Sequence, residues 1–534
     1  MLTQFEPIPD SGKVFKWKRL FIGASVFIAL VFLYQPLRRE SFNEAEERRH
    51  IEMGRQVDRS MYQQTNGGAP LTAPTCETPP YVLLGAPTTS EITINIFSDL
   101  DSVVKVFYAG PMDQHNLETQ PMQVQASQAP ARATLTNLSP GTTYHYVVAY
   151  QNGMGGKYCT QALTSEVRVF TTAKSTADTF RFGVVADIHL NQEGGFMESV
   201  VQQTFALMQQ EVTNPGGMDF VVDLGDTFMN TKVPYPTKIE PYQRIFRLYS
   251  QVCNQAPLFL VNGNHDGEVG WDIQIPNKKH PENPPVEYVL NRKAYFSNPL
   301  PNAFYSGNTV VEFEETGYQG NYFAFDWGNA LIIGLDPFWY TRTISRITDK
   351  HGVNLAEDPW SWTLGEDQYN WLYDTLANTK AKFKFIMMHH VTGGVFGTPK
   401  EGGGGGGAKF SRYFEWGGYD RDGQHLFEQK RPTFSHGPIH DFLVKFGVQV
   451  VFKGHDHLNN KGDLDGVLYH TLPKPSLDTF GKPPTTAEEQ GYPYEDSVLE
   501  SGYMMVTVSP TVATVTYTSF KGEQMDEYSV YPTA

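Results

Sequence analysis

The run Leu258, Phe259, Leu260, Val261 is apolar and ends on Asn262-Gly263, with Asn264, His265 and Asp266 directly after it. A short apolar run closed by a turn signal reads as a buried strand. An amide oxygen can ligate a hard cation, and an imidazole can move a proton. On its own the stretch also fits an ordinary Asn-Gly turn with a stray histidine. Four other apolar runs end in the same manner. Residues 182–186 lead into Asp187, Ile188 and His189, and residues 220–224 into Gly225 and Asp226. Residues 383–388 lead into His389 and His390, and residues 448–452, through Lys453, into Gly454, His455, Asp456 and His457. Five strands that each deliver metal-ligand side chains at their C-terminal ends constrain the fold strongly. In an open α/β sheet that rim is where ligands bind.

The blocks Asp187-x-His189, Gly225-Asp226, Gly263-Asn264-His265-Asp266, a histidine after a strand and Gly454-His455-x-His457 stand in this order from about Phe180 onward. The set resembles the calcineurin-like metallophosphoesterase superfamily. The resemblance implies an α/β four-layer domain, two packed mixed β-sheets flanked by helices. It implies hydrolysis of phosphate esters with two divalent metal ions, and histidine and carboxylate ligands leave Mn, Fe and Zn all open. Asp187, His189, Asp226 and His457 would hold one ion, and Asp226, Asn264, His389 and His455 the other. His265 has no metal role in that pattern. It would protonate the leaving oxygen or stabilise phosphoryl charge, with Asp266 orienting it. Adjacency to the strand selects His389 over His390 as ligand, leaving His390 behind the ligands or facing substrate.

The chemistry needs these residue types. Anionic phosphate oxygens repel a nucleophile, and two cations about 3.5–4 Å apart neutralise them and acidify a bridging water. One carboxylate must reach both ions, and Asp226 is the acidic residue directly after a glycine turn. The Asp-x-His and His-x-His spacings, read as extended chain, point both ligands to one side. Purple acid phosphatases carry a ferric-binding tyrosine three residues after the bridging aspartate and a glycine in the first block. Here those positions are Met229 and His189, so no obligatory ferric ion is expected.

The chain has 534 residues, too many for one core. A formal net charge of −16 argues against a general nucleic-acid binder, which needs a basic face. It leaves room for a phosphorylated small molecule, because bound metals supply local positive charge. Residues 1–19 are polar and carry Lys13, Lys16, Lys18 and Arg19. Leu20 to Tyr34 has no charge, is short for a span of about 20 residues, and extends through Gln35, Pro36 and Leu37. A cleaved signal peptide is the alternative, but no small-x-small site follows. The expectation is a cytoplasmic tail (1–19), a transmembrane anchor (20–37) and a stalk and linker (38–80). The preceding basic residues put the rest of the single-pass protein on the extracytoplasmic side, periplasmic, lumenal or extracellular.

From Tyr81 to Lys174 hydrophobicity alternates with period two, as in Ile92, Ile94 and Ile96, with turn signals between short runs. That pattern predicts an all-β sandwich. The run Leu135 to Tyr144 resembles fibronectin type III domains and the N-terminal domain of purple acid phosphatases. The catalytic domain is then expected over 178–534. Cys76 and Cys159 bracket the sandwich, either bridged or as separate thiols, and Cys253 is expected as a buried thiol.

Helical periods mark 197–212 and 242–252, and Leu364 to Leu372 opens another helix. Gly267 to Phe304 is rich in Pro, Asn and Lys and is expected as loop. The segment 398–437 contains six glycines, Gly402 to Gly407, without the Gly-Lys-Ser or Gly-Lys-Thr of a P-loop. It is expected as a flexible loop over the rim, with Arg412, Tyr413, Trp416 and Arg421 available to contact substrate or simply to pack. A phosphomonoesterase and a phosphodiesterase acting on nucleotides or lipid head groups share the same metal core, so the motifs do not separate them. A surface adhesion protein with a decayed catalytic domain would lack a ligand, and none is missing.

Overall fold

The computed structural model describes residues 78–532 apart from short internal stretches, the longest of them 393–404. A nine-stranded sheet and a seven-stranded sheet pack face to face. At the centre of the first, Phe180–Val185, Phe220–Asp223 and Leu258–Leu260 run parallel. At the centre of the second, Ala330–Gly334, Phe383–Met387, Val450–Lys453 and Val467–Thr471 run parallel. The interface is aromatic: Phe182, Phe220 and Phe259 meet Phe325, Phe385 and Phe452. The rings of Phe259 and Phe325 stack at 4.5 Å. Each fully buried phenylalanine contributes about 1.5–3 kcal/mol of transfer free energy, so this layer fixes the registry of the two sheets.

Helices close the outer faces. Glu198–Thr213 and Glu240–Tyr249 bury Val201, Phe205, Met208, Ile245 and Phe246 against the first sheet. Glu366–Asn378 and Ile439–Lys445 bury Tyr369, Leu372, Ile439 and Phe442 against the second. The result is the α/β four-layer arrangement, and all parallel strands of a sheet point their C-terminal ends to one rim.

Residues 81–171 enclose a separate core of Val82, Leu84, Ile94, Val104, Val106, Tyr146 and Val148. Only one of its two sheets stands alone. The strands Tyr81–Gly85, Ile92–Phe97 and Ala131–Leu135 continue the nine-stranded sheet, with Gly85 paired to Leu258 in parallel. Leu83 and Phe97 explain this. They turn away from the sandwich core and pack with Phe246 and Tyr295 under the catalytic helices. A strand buried on both faces joins two layers, and alternation reports only one of them.

Two sequence expectations are corrected. Gly267 to Phe304 is not all loop: Pro284–Tyr295 is an α-helix, with prolines in its first turn where no intrahelical N–H is needed. Its Arg292 donates to both carboxylate oxygens of buried Glu268, at 2.5 and 2.8 Å. The described part of 398–437 is not a bare flexible loop either. It holds short helices at Gly407–Phe410, Phe414–Gly417 and Phe427–Lys430, and Trp416 is fully buried with its indole N–H on Tyr469. Cys159 is disulfide-bonded and Cys253 is a buried free thiol, while Cys76 lies outside the described residues. The expected anchor at 20–37 also lies outside them. Among the described residues no helix is long and apolar enough to cross a membrane.

Candidate metal centre

The five motif turns meet at the rim between the two sheets. Asp187, His189, Asp226 and His389 are buried, while Asn264, His265 and His455 keep partial exposure and form the open face. Their backbones are laced together. The amide of Asp187 donates to Gly225 O and that of His189 to Asp226 O. The amide of His455, from the second sheet, donates to Asp187 Oδ2 at 2.8 Å. Gly263 permits the closest approach: a Cβ there would lie 2.2 Å from Asp226 Oδ1.

The spacing argument from extended chain is corrected here. Asp187, His189, Asp226, His455 and His457 all have positive φ, between 51° and 71°. They are half of the ten non-glycine residues in that region among those described. In three of the five motif turns the strand is followed by left-handed single residues, and their side chains converge. Such conformations cost of order 1–3 kcal/mol each and persist where the surroundings over-determine them, commonly at functional sites.

Side-chain atoms gather into overlapping groups. Asp187, His189 and His457 form one, Asp226, His389 and His455 a second, and His189, Asp226 and His265 a third, with ligand atoms within 4.8 Å of one another in each. In the first, His189 Nε2 is 3.0 Å from His457 Nε2 and 3.3 Å from Asp187 Oδ1. In the second, His389 Nε2 is 3.1 Å from Asp226 Oδ2 and 3.2 Å from His455 Nδ1, and Asn264 Oδ1 is 2.9 Å from His455 Nδ1. Asp226 Oδ2 is also 3.5 Å from His189 Nε2, so its carboxylate faces both groups.

This donor set fits divalent cations. Imidazole nitrogens face one another and carboxylates across a buried space, an arrangement that calls for positive charge at its centre. The electrostatics agree. Burial would raise the Asp226 carboxyl, but the imidazoles of His389 and His265 outweigh it and hold it below the usual range. Burial pulls His389 down, yet Asp226 and Asp187 carry it up to about 9. Burial lowers His189 to about 4, keeping it in the neutral form that ligates.

His389, not His390, joins the ligand groups. Its Nδ1 donates to Leu224 O at 3.0 Å, which frees Nε2 for the centre. His390 is fully buried between Phe338, Trp362 and His455. Asp266 does not hold the His265 ring. Its oxygens accept the backbone amides of Asp226, Phe228 and Gly263, at 2.9, 2.9 and 2.6 Å, and so brace the turn. The His265 ring pairs instead with Thr231 Oγ1, 2.7 Å from Nδ1, a partner no motif announced. Met229 lies beside the site, its sulfur 2.7 Å from His189 Nδ1. Arg412 is exposed, and its backbone packs against Gly417.

Comparison with known proteins agrees with this site. No curated protein sequence matches the chain. The structure resembles a purple acid phosphatase from yellow lupin (Lupinus luteus) seeds, at 13% identity over 85% of this chain and 74% of that one, with a TM-score of 0.52. It resembles PhoD at 15% identity over 86% of this chain and 94% of that one, with a TM-score of 0.53. At such identities the likeness speaks to the fold alone. The family model for calcineurin-like phosphoesterase matches residues 180–459, more than half of the sequence and all five motif turns. The chain therefore belongs to the calcineurin-like phosphoesterase family and is a metal-dependent phosphoesterase.

Proposed function

We propose that the protein is a membrane-anchored phosphomonoesterase that works with two divalent ions. The carrying observation is that Asp226 faces two separate groups of nitrogen and oxygen ligands. Two bound ions would supply positive charge to the phosphoryl oxygens and acidify a water. The residues supply the rest. Asp187, His189 and His457 hold one side, and Asn264, His389 and His455 the other, with Asp226 between them. The His265 ring, half-exposed and held by Thr231, faces the approach of substrate and can give a proton to the leaving oxygen. The substrate is a phosphorylated small molecule. The lupin neighbour is described as a phosphatase, and we take a monoester as the substrate to test first. The uncharged run from Leu20 to Tyr34 favours an anchor, with the sandwich over 81–174 carrying the catalytic domain, 178–534, outside the cytoplasm.

Elemental analysis of the protein reconstituted with Mn or Zn should find two ions per chain, and one or fewer would end the dimetal reading. Assays should show aryl phosphate monoesters cleaved faster than bis-aryl diesters, and the reverse order would make the enzyme a phosphodiesterase. Deletion of residues 1–38 should give an active protein that no longer partitions with membranes, and continued partitioning would refute this anchor.

A further inference from the structure

The glycine run has no part in the chemistry above, nor does the chain beyond residue 459, where the family match ends. The two meet at Tyr492. This residue is 4% exposed, and its ring packs with Leu458, Ala487 and Leu499. Its hydroxyl donates to Asp456 Oδ2 at 2.7 Å and lies 2.8 Å from Thr471 Oγ1. The same Asp456 oxygen accepts from Lys453 Nζ at 2.8 Å. Lys453, Asp456 and Thr471 are fully buried. On its other side the Tyr492 ring packs against Gly407, the last residue of the glycine run. A Cβ at Gly407 would come 2.7 Å from the ring. The segment is tied down again by a reciprocal backbone pair between Asn459 and Val498, at 2.7 and 2.9 Å. Tyr492 and Val498 thus strap the turn that carries His455 and His457.

That turn needs a brace. His455 and His457 both hold positive φ, and Asp456 is the residue between them. A buried carboxylate is kept in place only by charged or hydrogen-bonding partners. Here those partners are a lysine on the adjoining strand and a tyrosine from the strap.

We propose that Tyr492 is a positioning residue: it holds Asp456, and through it the left-handed His455–His457 turn, in the geometry that receives the metals, seated against the end of the glycine run. The inference rests on the proposed metal reading but assigns a residue outside the family match.

The test uses the full chain, stripped of metal and reloaded with Co²⁺. Its readouts are the visible cobalt spectrum, the rate of cobalt loss to excess chelator, and kcat and KM on an aryl phosphate. Loss of an outer partner of a metal ligand typically costs 10–100-fold in metal affinity or activity. Tyr492 touches Asp456 rather than a ligand, so Tyr492→Phe should release cobalt about tenfold faster, the low end of that range, with a changed band shape and a fall in kcat larger than the change in KM. Gly407→Ala, which displaces the ring without removing the hydroxyl, should move all readouts the same way. Tyr305→Phe is the control, because it loses a buried hydroxyl hydrogen bond, to Pro87 O, without touching the motif. It should leave cobalt release and spectrum at wild-type values even where its Tm falls. Wild-type release and spectrum in Tyr492→Phe would overturn the proposal, as would equal changes in Tyr305→Phe. A wild-type chain that takes up no cobalt would refute the metal reading itself, and this inference with it.

Discussion

The two sheets contribute unlike halves to the site. The first brings Asp187, His189, Asp226, Asn264 and His265, and the second brings only imidazoles, His389, His455 and His457. Each half contains a buried aspartate that stands outside the candidate ligand groups and holds a turn. In the first half Asp266 accepts three backbone amides from its own and the adjoining motif. In the second half Asp456 is held by two side chains, Lys453 and Tyr492. A turn braced by backbone tolerates change in its surroundings, since every residue but proline offers an amide. A turn braced by side chains depends on particular partners, one of them 36 residues away. The carboxylate half is therefore the more self-contained, and the imidazole half is the one open to tuning by the rest of the chain.

The sharpest way to break this comparison is at Asp226, the side chain that faces both halves. Asp226→Asn should cut kcat by more than about 10³-fold, beyond the 10²–10³ that loss of one transition-state hydrogen-bond donor costs. Metal content by elemental analysis should fall with it, and full occupancy would mean the halves do not depend on a shared carboxylate. His265→Ala tests the carboxylate half alone. General acid catalysis contributes about 10²–10⁴-fold, so kcat should drop within that range with both ions retained. The drop should be smaller for a nitrophenyl ester than for an alkyl phosphate, since nitrophenolate leaves without a proton. Loss of metal instead would make His265 a ligand, as its place in the third group with His189 and Asp226 allows.

Thr231→Val removes the hydroxyl that pairs with the His265 ring. A loss of about tenfold in kcat is expected, the low end for an outer-shell hydrogen bond, with unchanged metal content. A loss as large as that of His265→Ala would show that orientation, not proton transfer, is what the imidazole needs. The smallest effect belongs to His390→Ala in the second half. It should lower Tm by opening a cavity beside Phe338 and Trp362 while kcat stays within about tenfold of wild type, below the usual cost of an outer partner. A collapse of activity comparable to Asp226→Asn would make His390 a ligand in place of His389.

The metal centre was legible because its chemistry is local. Short apolar strands and the polar residues directly after them stand in consecutive sequence, and a parallel sheet places all such ends on one rim. The choice of His389 over His390 followed from adjacency to the strand, and His389 Nε2 lies 3.1 Å from Asp226 Oδ2 in one of the candidate groups. Helices at 198–213, 240–249 and 366–378 showed their 3.6-residue period. What stayed hidden depended on contacts distant in sequence or on backbone geometry. Pro284 and Pro285 looked like loop residues until Arg292 found Glu268 and the apolar face of the helix found Phe313 and Trp339.

By itself, then, the sequence determined the class of chemistry, the catalytic fold and the ligand candidates, since each is written in residue types and short spacings. How those candidates converge depends on the folded chain. The fold put five of them in left-handed turns rather than extended chain, gave Asp266 to the backbone and Thr231 to His265, and merged a sandwich sheet with the catalytic one through Leu83 and Phe97. The physical reason is the same in each case. A hydrogen bond or a buried face is satisfied by whatever the fold brings near, and for Tyr492 and Asp456 that partner stands 36 residues along the chain.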